Sequence, residues 1–207
     1  MYTTLVFDFY GTLDQSMPLA VEALNKYAET YRYGRITNIE NARNKSATEL
    51  IKKALGLSIP GFIVRVPFVA PKVMDHMRNA PIVEGLKEVI ETLSERYETS
   101  IADAALKRNI DAFLEKEGIH CIDNTYANHL ELLSKERLLK KLMIEQRKAR
   151  HEILYIGDEV RDIEACRRAE IDIAAVCWGY NSRQALAKEG PTYLLEEPRD
   201  LLELLMK

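Results

Sequence analysis

The sequence predicts an α/β protein built on a parallel sheet, and two apolar segments carry this prediction. Residues 3–7 form a run of β-branched, aliphatic and aromatic side chains that ends at Asp8, and residues 152–157 form a second run that ends at Asp158. Runs this apolar are typical of strands covered on both faces, as in parallel sheets. From Pro81 onwards, strand patterns alternate with helix patterns, which favours right-handed crossovers between parallel strands.

The segment between the first strand and Pro81 has a different character. The spacing of its apolar residues predicts a helix over 16–33, followed by helices over 38–43 and 47–55. Glycines and prolines between 56 and 71 predict that this stretch is broken into short helices or loops. Residues 15–80 are therefore expected to form a helical insert in the chain.

The chain after Pro81 contains the remaining strands and their crossover helices. The predicted elements are a helix over 83–97, a strand over 99–103, a helix over 106–117, a strand within 119–126, a helix over 135–150, a strand over 152–158, a helix over 162–169, a strand over 171–177, an edge strand over 192–195 and a helix over 198–206. Residues 1–14 and 81–207 together are expected to form the α/β core.

Composition and charge narrow the classes of partner. A net charge of −3 over 207 residues gives no reason to expect a nucleic acid or an anionic membrane surface as partner. No apolar run approaches the roughly 18 residues that a membrane helix needs. The three cysteines show no CxxC spacing and suit a reducing compartment. We expect a soluble, cytoplasmic protein; the sequence leaves its oligomeric state open.

Acidic residues follow two predicted strands, and this places them where α/β proteins carry out chemistry. Asp8 and Asp158 both lie just beyond the carboxyl end of a strand, so their side chains can converge at one edge of a parallel sheet. Carboxylate oxygens brought together in this way suit Mg²⁺, and Asp162 lies close enough in sequence to join them. The alternative from local sequence is a turn in which Asp8 bonds only the backbone.

Other residues near this edge suit a phosphorylated substrate. Gly11 and Thr12 offer amide and hydroxyl donors to an oxyanion, and Lys135 begins a helix from which its cation could reach the same edge. An aspartate nucleophile that forms an acyl phosphate is an established solution for such sites. These residues favour a small phosphorylated metabolite as substrate.

Two motifs identify a family resemblance. The segments Asp8-Phe9-Tyr10-Gly11-Thr12-Leu13 and Gly157-Asp158-Glu159-Val160-Arg161-Asp162 resemble the haloacid dehalogenase-like (HAD) hydrolase superfamily. The likeness is closest to its phosphoglycolate phosphatase-like branch and extends over essentially the whole chain, including 175–182 and 194–202. It implies a doubly wound, Rossmann-like core, a helical cap domain formed by residues 15–80, and Mg²⁺-dependent phosphoester hydrolysis.

The resemblance also implies roles for individual residues. Asp8 matches the nucleophile and a metal ligand, Asp158 and Asp162 match the metal-binding acids of the last motif, and Lys135 matches the motif lysine. The backbone carbonyl of Tyr10 would supply a further metal ligand, whatever its side chain. Gly11 and Thr12 would help to position the substrate.

Two positions depart from the phosphatase pattern. Tyr10 stands where these phosphatases have a second Asp that protonates the leaving oxygen, and a Tyr with a reference pKa near 10 is a poor general base at neutral pH. Asp103 stands where the family has a Thr or Ser that binds phosphoryl oxygens. A carboxylate there would repel a dianion, unless Asp103 turns away and caps the next helix.

The sequence therefore predicts a Mg²⁺-dependent phosphatase that forms an aspartyl-phosphate on Asp8, weakened by Tyr10 and Asp103. One alternative is a catalytically inactive binding protein with the same fold. Another is a 2-haloacid dehalogenase, because the first motif resembles that of these enzymes, whose halide leaving group needs no proton. The dehalogenases lack the metal-site acid in the last motif, however, whereas this chain has Asp158.

Overall fold

A computed structural model describes residues 1–127 and 135–206, and the centre of this structure is a parallel sheet. Within the described residues the sheet has six strands in the order β3-β2-β1-β4-β5-β6, with every neighbouring pair parallel. The strands are β1 (Thr4–Phe7), β2 (Glu98–Asp103), β3 (Asn124–Ala127), β4 (Ile153–Gly157), β5 (Asp172–Val176) and β6 (Tyr193–Leu195). The predicted parallel sheet is confirmed. Most of the predicted strand boundaries lie within a few residues of the observed ones.

Helices connect the strands and fill the insert. The described helices are α1 (Ser16–Tyr27), α2 (Ile39–Arg43), α3 (Ala47–Glu49), which continues into a π-helical segment over Leu50–Ala54, α4 (Ile59–Met77), α5 (Leu86–Ser94), α6 (Lys107–Glu117), α7 (Lys135–Gln146), α8 (Val160–Ala169), α9 (Arg183–Lys188) and α10 (Arg199–Leu205). A 3₁₀ turn, Arg150–Glu152, precedes β4. In the described part of the chain, no helix is both long and apolar enough to cross a bilayer.

Both faces of the sheet are covered, as expected for a doubly wound fold. Alternate side chains of β1 point to opposite faces, so Leu5 and Phe7 belong to one apolar cluster and Val6 to another. Helices α5, α6 and α10 contribute to the first cluster, and α7, α8 and α9 to the second. Two-sided burial explains why the β1 and β4 segments are almost wholly apolar.

The strand order fixes the position of the functional edge. From β1 the chain adds β2 and then β3 on one side, and β4, β5 and β6 on the other. The order therefore reverses next to β1, and ligands in open α/β sheets bind beyond the carboxyl ends of strands at such a point. The N–H of Asp8 donates to the carbonyl of Ile156 over 2.8 Å, which holds the ends of β1 and β4 together.

The helical insert leaves and rejoins the core through two adjacent chain segments. Asp14 and Ile82 form an isolated antiparallel bridge, and the N–H of Gln15 donates to the carbonyl of Pro81 over 2.9 Å. Outside these two connecting segments, the insert has its own apolar cluster, which is centred on Met17, Val21, Ile36 and Leu55. That residues 15–80 act as a separate cap domain remains a prediction.

Two predictions about the insert are wrong. The stretch predicted to break at its prolines is one 19-residue helix, α4, which contains Pro67 and Pro71. Both prolines lie on its exposed face, where carbonyl groups that lose their helical partners can bind water. The helix predicted over 16–33 ends at Tyr27, and the turns after it include Arg32 in the left-handed region with φ of 54°.

Candidate active site

A tight turn follows β1 and places Asp8 at the point where the strand order of the sheet reverses. Gly11 adopts a φ of +82°, and its N–H donates to Asp14 Oδ1 over 2.9 Å. The same oxygen of Asp14 accepts from the N–H of Ser16, so one buried carboxylate holds both sides of the turn. Sequence reasoning missed Asp14, although an acid directly after the first motif was a signal for this role.

Three carboxylates meet at the edge formed by β1 and β4. Oxygen atoms of Asp8, Asp158 and Asp162 lie within 4.8 Å of one another, and all three residues are buried. Asp8 and Asp158 end neighbouring strands, while Asp162 lies in the first turn of α8. The predicted convergence of these residues is confirmed, and the alternative in which Asp8 bonds only the backbone is not found.

Lys135, the first described residue of α7, inserts its side chain between two of these acids. Its Nζ lies 2.7 Å from Asp8 Oδ2 and 2.5 Å from Asp162 Oδ1, and 5.3 Å from the centre of the Tyr155 ring. Burial alone would lower the pKa of Lys135. The adjacent carboxylates outweigh that effect, so its pKa lies above the usual range and the group stays charged.

Asp8 is the least satisfied of the three acids. Despite the short contact with Lys135, neither carboxylate oxygen takes part in a directional hydrogen bond within the described residues. Burial raises the pKa of Asp8 to about 7; Lys135 opposes this effect, and the charge of Asp103 adds to it. Burial also raises the pKa values of Asp158 and Asp162, with Asp8 contributing like charge to both. The cluster thus carries more negative charge than its immediate surroundings compensate.

Asp158 is held in place from two sides. Its Oδ1 accepts from the Thr12 hydroxyl over 2.6 Å, and its Oδ2 accepts from the N–H of Tyr180 over 2.6 Å. A Cβ atom at Gly11 or Gly179 would clash with this carboxylate, so glycine is required at both positions. The proton of the Thr12 hydroxyl is engaged by Asp158, and the role of Thr12 in positioning the substrate stays a prediction.

Asp162 is oriented by the start of its own helix. Its Oδ2 accepts from the N–H of Glu159 over 3.0 Å, which leaves Oδ1 directed at Lys135. A Cβ at Gly157 would lie 2.7 Å from Asp162 Oδ2, which explains the absence of a side chain at the end of β4. The Glu159 N–H and the missing side chain at Gly157, both close to Asp162 in the sequence, therefore fix one of its oxygens.

The two departures from the phosphatase pattern both lie near Asp8. Asp103 is 3% exposed, and its Oδ1 accepts from the N–H of Ala105 over 2.5 Å. The N-cap of α6 is Leu106, so the predicted capping of that helix by Asp103 is not found, and the charge of Asp103 reaches Asp8. Asp103 is therefore buried close enough to Asp8 for its charge to raise the pKa of that carboxyl.

The side chain of Tyr10 contacts Phe9, α6 and the wall of the insert. Its ring centre lies 4.7 Å from that of Phe9, and its hydroxyl accepts from Asn109 Nδ2 over 3.4 Å. Burial raises the pKa of Tyr10 above its ordinary value, so the phenol remains protonated at neutral pH. This side chain supplies no carboxylate to the site.

The segment after β5 supports the site without entering it. Trp178 Nε1 donates to the carbonyl of Thr12 over 3.0 Å, which assigns this side chain to packing. Asn181 accepts from the N–H of Val160 and donates to the carbonyl of Arg43, joining α8 to the insert. Sequence reasoning gave Asn181 no role, since its partners lie far away along the chain.

Comparison with known proteins assigns the family. The family model for haloacid dehalogenase-like hydrolases matches residues 5–176, which include all three clustered acids and Lys135. The chain belongs to the haloacid dehalogenase-like hydrolases. Within them it falls in the phosphoglycolate phosphatase-like branch: it is 31% identical to a phosphoglycolate phosphatase of Synechococcus elongatus over 202 residues, covering 96% of this chain and 95% of the relative.

Solved structures show the same fold for this hydrolase. A protein from Lactobacillus delbrueckii, provisionally assigned as a phosphoglycolate phosphatase, superimposes with a TM-score of 0.81 at 18% identity, covering 99% of this chain and 98% of that one. The hydrolase YfnB of Bacillus subtilis, solved bound to magnesium, superimposes with a TM-score of 0.70 at 15% identity, covering 99% and 98%. The predicted fold and the predicted resemblance are both confirmed.

Proposed function

We propose that this hydrolase is a Mg²⁺-dependent phosphatase that transfers the phosphoryl group of a small phosphorylated metabolite to Asp8. The observation that carries the proposal is the state of Asp8. Its carboxylate is buried where the strand order of the sheet reverses, and within the described residues it contacts one cation, Lys135, and has no directional hydrogen bond. A buried carboxylate whose oxygens are not held by hydrogen bonds can act as a nucleophile once its negative charge is compensated.

The donor set fits Mg²⁺. Asp8, Asp158 and Asp162 offer only hard oxygen ligands, and the carbonyl of Tyr10 is the fourth group that we propose as a ligand. Once ionised, the three carboxylates exceed by two negative charges the one ammonium group, Lys135, that contacts them within the described residues. A divalent cation balances them. When bound, Mg²⁺ would neutralise phosphoryl oxygens and orient the phosphoryl group towards Asp8.

The protein groups then account for a two-step reaction. A carboxylate oxygen of Asp8 attacks phosphorus, the bond from phosphorus to the ester oxygen breaks, and that oxygen leaves with the bonding electron pair and takes a proton from water to give the alcohol. Water attacks the phosphorus of the aspartyl-phosphate, which releases inorganic phosphate and restores the carboxylate. Lys135 holds the Asp8 carboxylate in place for the first step and stabilises the carboxylate that the second step restores, because its buried charge lies 2.7 Å from Asp8 Oδ2. Gly11 and Thr12 shape the turn on which the phosphoryl group rests.

Tyr10 and Asp103 are expected to slow this reaction. Loss of a general acid or base typically costs about 10²–10⁴-fold in rate, and the Tyr10 phenol is held protonated by burial. The buried Asp103 carboxylate adds negative charge beside an anionic substrate. The loss of the general acid falls hardest on esters whose alcohol needs a proton to leave, whereas the charge of Asp103 acts against every anionic substrate.

The relatives support the proposed class of substrate, and the cysteines support the proposed cytoplasmic location. The Synechococcus elongatus relative is a phosphoglycolate phosphatase, which favours a small phosphorylated metabolite as the substrate of this chain. Cys121, Cys166 and Cys177 are free thiols, which suits the reducing cytoplasm.

A dehalogenase is the second candidate, favoured by the tyrosine at position 10. Displacement of a halide by Asp8 needs no general acid and no metal, so dependence on Mg²⁺ separates the two reactions. The acidic cluster around Asp158 favours the phosphatase, because a nucleophile that acts on a haloacid gains nothing from two further buried carboxylates.

The deciding experiment is hydrolysis of an aryl phosphate with and without Mg²⁺ by the wild type, Asp8→Asn and Tyr10→Asp. An aryl leaving group needs little protonation, so turnover is expected in the wild type with Mg²⁺ and none in Asp8→Asn. Asp111→Asn, which alters an exposed pair with Lys107, is the control and should retain full activity. Halide release from a 2-haloacid without Mg²⁺, together with no phosphate release by any variant, would overturn the proposal.

A further inference from the structure

The helical insert contains a cavity of about 280 Å³. Its walls come from α1, the segment 55–57 and one face of α4. On α4 the lining residues recur every three or four positions and include Phe62, Val66, Val69 and Val73. The opposite face of the same helix is exposed to solvent. The cavity therefore lies inside the insert, between its helices.

The surface of the cavity is apolar throughout, because the polar groups at its wall are engaged elsewhere. The Tyr33 hydroxyl donates to the carbonyl of Leu24 over 2.7 Å. Arg65 directs Nε to the carbonyl of Tyr31 over 2.6 Å and Nη1 to that of Gly61 over 2.8 Å, so its stem faces inward. A carboxylate or hydroxyl group placed in this cavity would lose its hydration and gain no partner from these side chains.

The core contributes one residue to this wall, and that residue is Tyr10. Tyr10 is two positions from Asp8 in the turn that follows β1, and the side of its ring not packed on Phe9 is available to the cavity. The cavity thus begins at the turn that carries the proposed nucleophile.

We propose that the substrate is a phosphate monoester whose alcohol carries an apolar, ring-sized group, and that this group occupies the cavity. This inference rests on the proposed phosphatase function. The volume is sufficient, since a cavity of about 150 Å³ lined by apolar side chains accommodates benzene. Small hydroxylated or carboxylated esters gain no binding energy from such a wall, whereas burial of a ring is strongly favourable.

The test uses two phosphonates, which mimic the esters but cannot be hydrolysed. Titration calorimetry with Mg²⁺ present compares 2-phenylethylphosphonate with ethylphosphonate, which differ only by the ring. The wild type is expected to bind the phenyl compound about 10- to 100-fold more tightly. Ala70→Phe, which fills the cavity, should abolish this preference and leave ethylphosphonate binding unchanged. Val64→Phe, on the exposed face of α4, is the matched control and should keep the preference.

A second variant covers the case in which Ala70→Phe does not fold. Val73→Thr changes the polarity of the wall at nearly constant shape, and it should reduce the preference for the phenyl compound several-fold. Equal binding of both phosphonates by the wild type, binding of neither, or an unchanged preference in both cavity variants would overturn the inference. Hydrolysis of 2-phenylethyl phosphate and ethyl phosphate is measured in parallel. If neither is hydrolysed while the binding preference holds, the phosphatase proposal fails and the ligand class of the cavity stands.

Discussion

The hydroxyl of Thr12 donates a 2.6 Å hydrogen bond to Oδ1 of Asp158, joining the turn after β1 to the residue that ends β4. Both residues are fully buried. Because the other oxygen of Asp158 accepts from the N–H of Tyr180, the carboxylate has little freedom to rotate. Its orientation is fixed by two segments that lie far from it in the chain.

Replacing Thr12 with Val tests the importance of this bond for metal binding. The variant keeps the shape of the side chain but removes the donor, so Asp158 loses part of its orientation. We expect the affinity for Mg²⁺ to fall by about 10- to 100-fold, as for other residues that orient metal ligands. Calorimetric titration with Mg²⁺ measures the change. Thr92→Val removes an exposed hydroxyl bond to Glu88 and should leave the affinity unchanged, and equal affinities in all three proteins would contradict the expectation.

Replacing Lys135 with Met separates stability from metal affinity. Removing one partner of a buried ion pair costs about 3–5 kcal/mol, so the metal-free variant should unfold at lower denaturant concentration. Its affinity for Mg²⁺ should not fall, because the ammonium group competes with the cation for Asp8 and Asp162. Chemical unfolding and Mg²⁺ titration measure the two quantities. Lys140→Met, which breaks an exposed pair with Glu136, should change neither by more than about 0.5 kcal/mol.

Asp8→Asn should stabilise the metal-free protein in a pH-dependent way. The pKa of Asp8 is raised from 3.8 to about 7 on folding, so the folded state binds the proton more tightly and stability falls as pH rises through this range. Asn removes this cost. The stabilisation should be about 2 kcal/mol larger at pH 8 than at pH 5, measured by urea unfolding with a chelator present.

The control for this pH dependence is Asp111→Asn, whose carboxylate is exposed and paired with Lys107. It should show no gain that grows with pH. A gain of the same size for Asp8→Asn at both pH values would show that the Asp8 carboxylate is not destabilised by its burial.

Gly11→Ala should disrupt the site through two separate effects. The φ of +82° disfavours any side chain, and the added Cβ would strike both Asp158 and the ring of Tyr180. Gly190→Ala is the matched control, because Gly190 has a φ of +65° but open space around the added atom. The control should lose about 1–2 kcal/mol of stability from backbone strain alone. Gly11→Ala should lose more and should also bind Mg²⁺ more weakly, as unfolding and calorimetry would show; equal losses would rule out the steric effect.

Much of the fold and part of the site could be predicted from the sequence, because both depend on patterns that are local in the chain. The apolar runs before Asp8 and Asp158 predicted two buried strands, and two-sided burial of β1 and β4 is the reason that those runs are continuous. Since parallel strands present their carboxyl ends at one edge, the meeting of the two acids followed from the strands alone.

The tertiary structure decided what depends on contacts between distant segments. Helix α4 continues through Pro67 and Pro71 because one of its faces packs against α1 while its prolines face water, a balance that no local propensity reports. Asp103 lies beside Asp8, although an acid after a strand reads equally well as a helix cap. The Thr12 hydroxyl binds Asp158, and the Tyr10 ring borders an apolar cavity. Neither contact could be predicted from the sequence, because the partner of each side chain is set by how the turn, the sheet and the insert pack together in space.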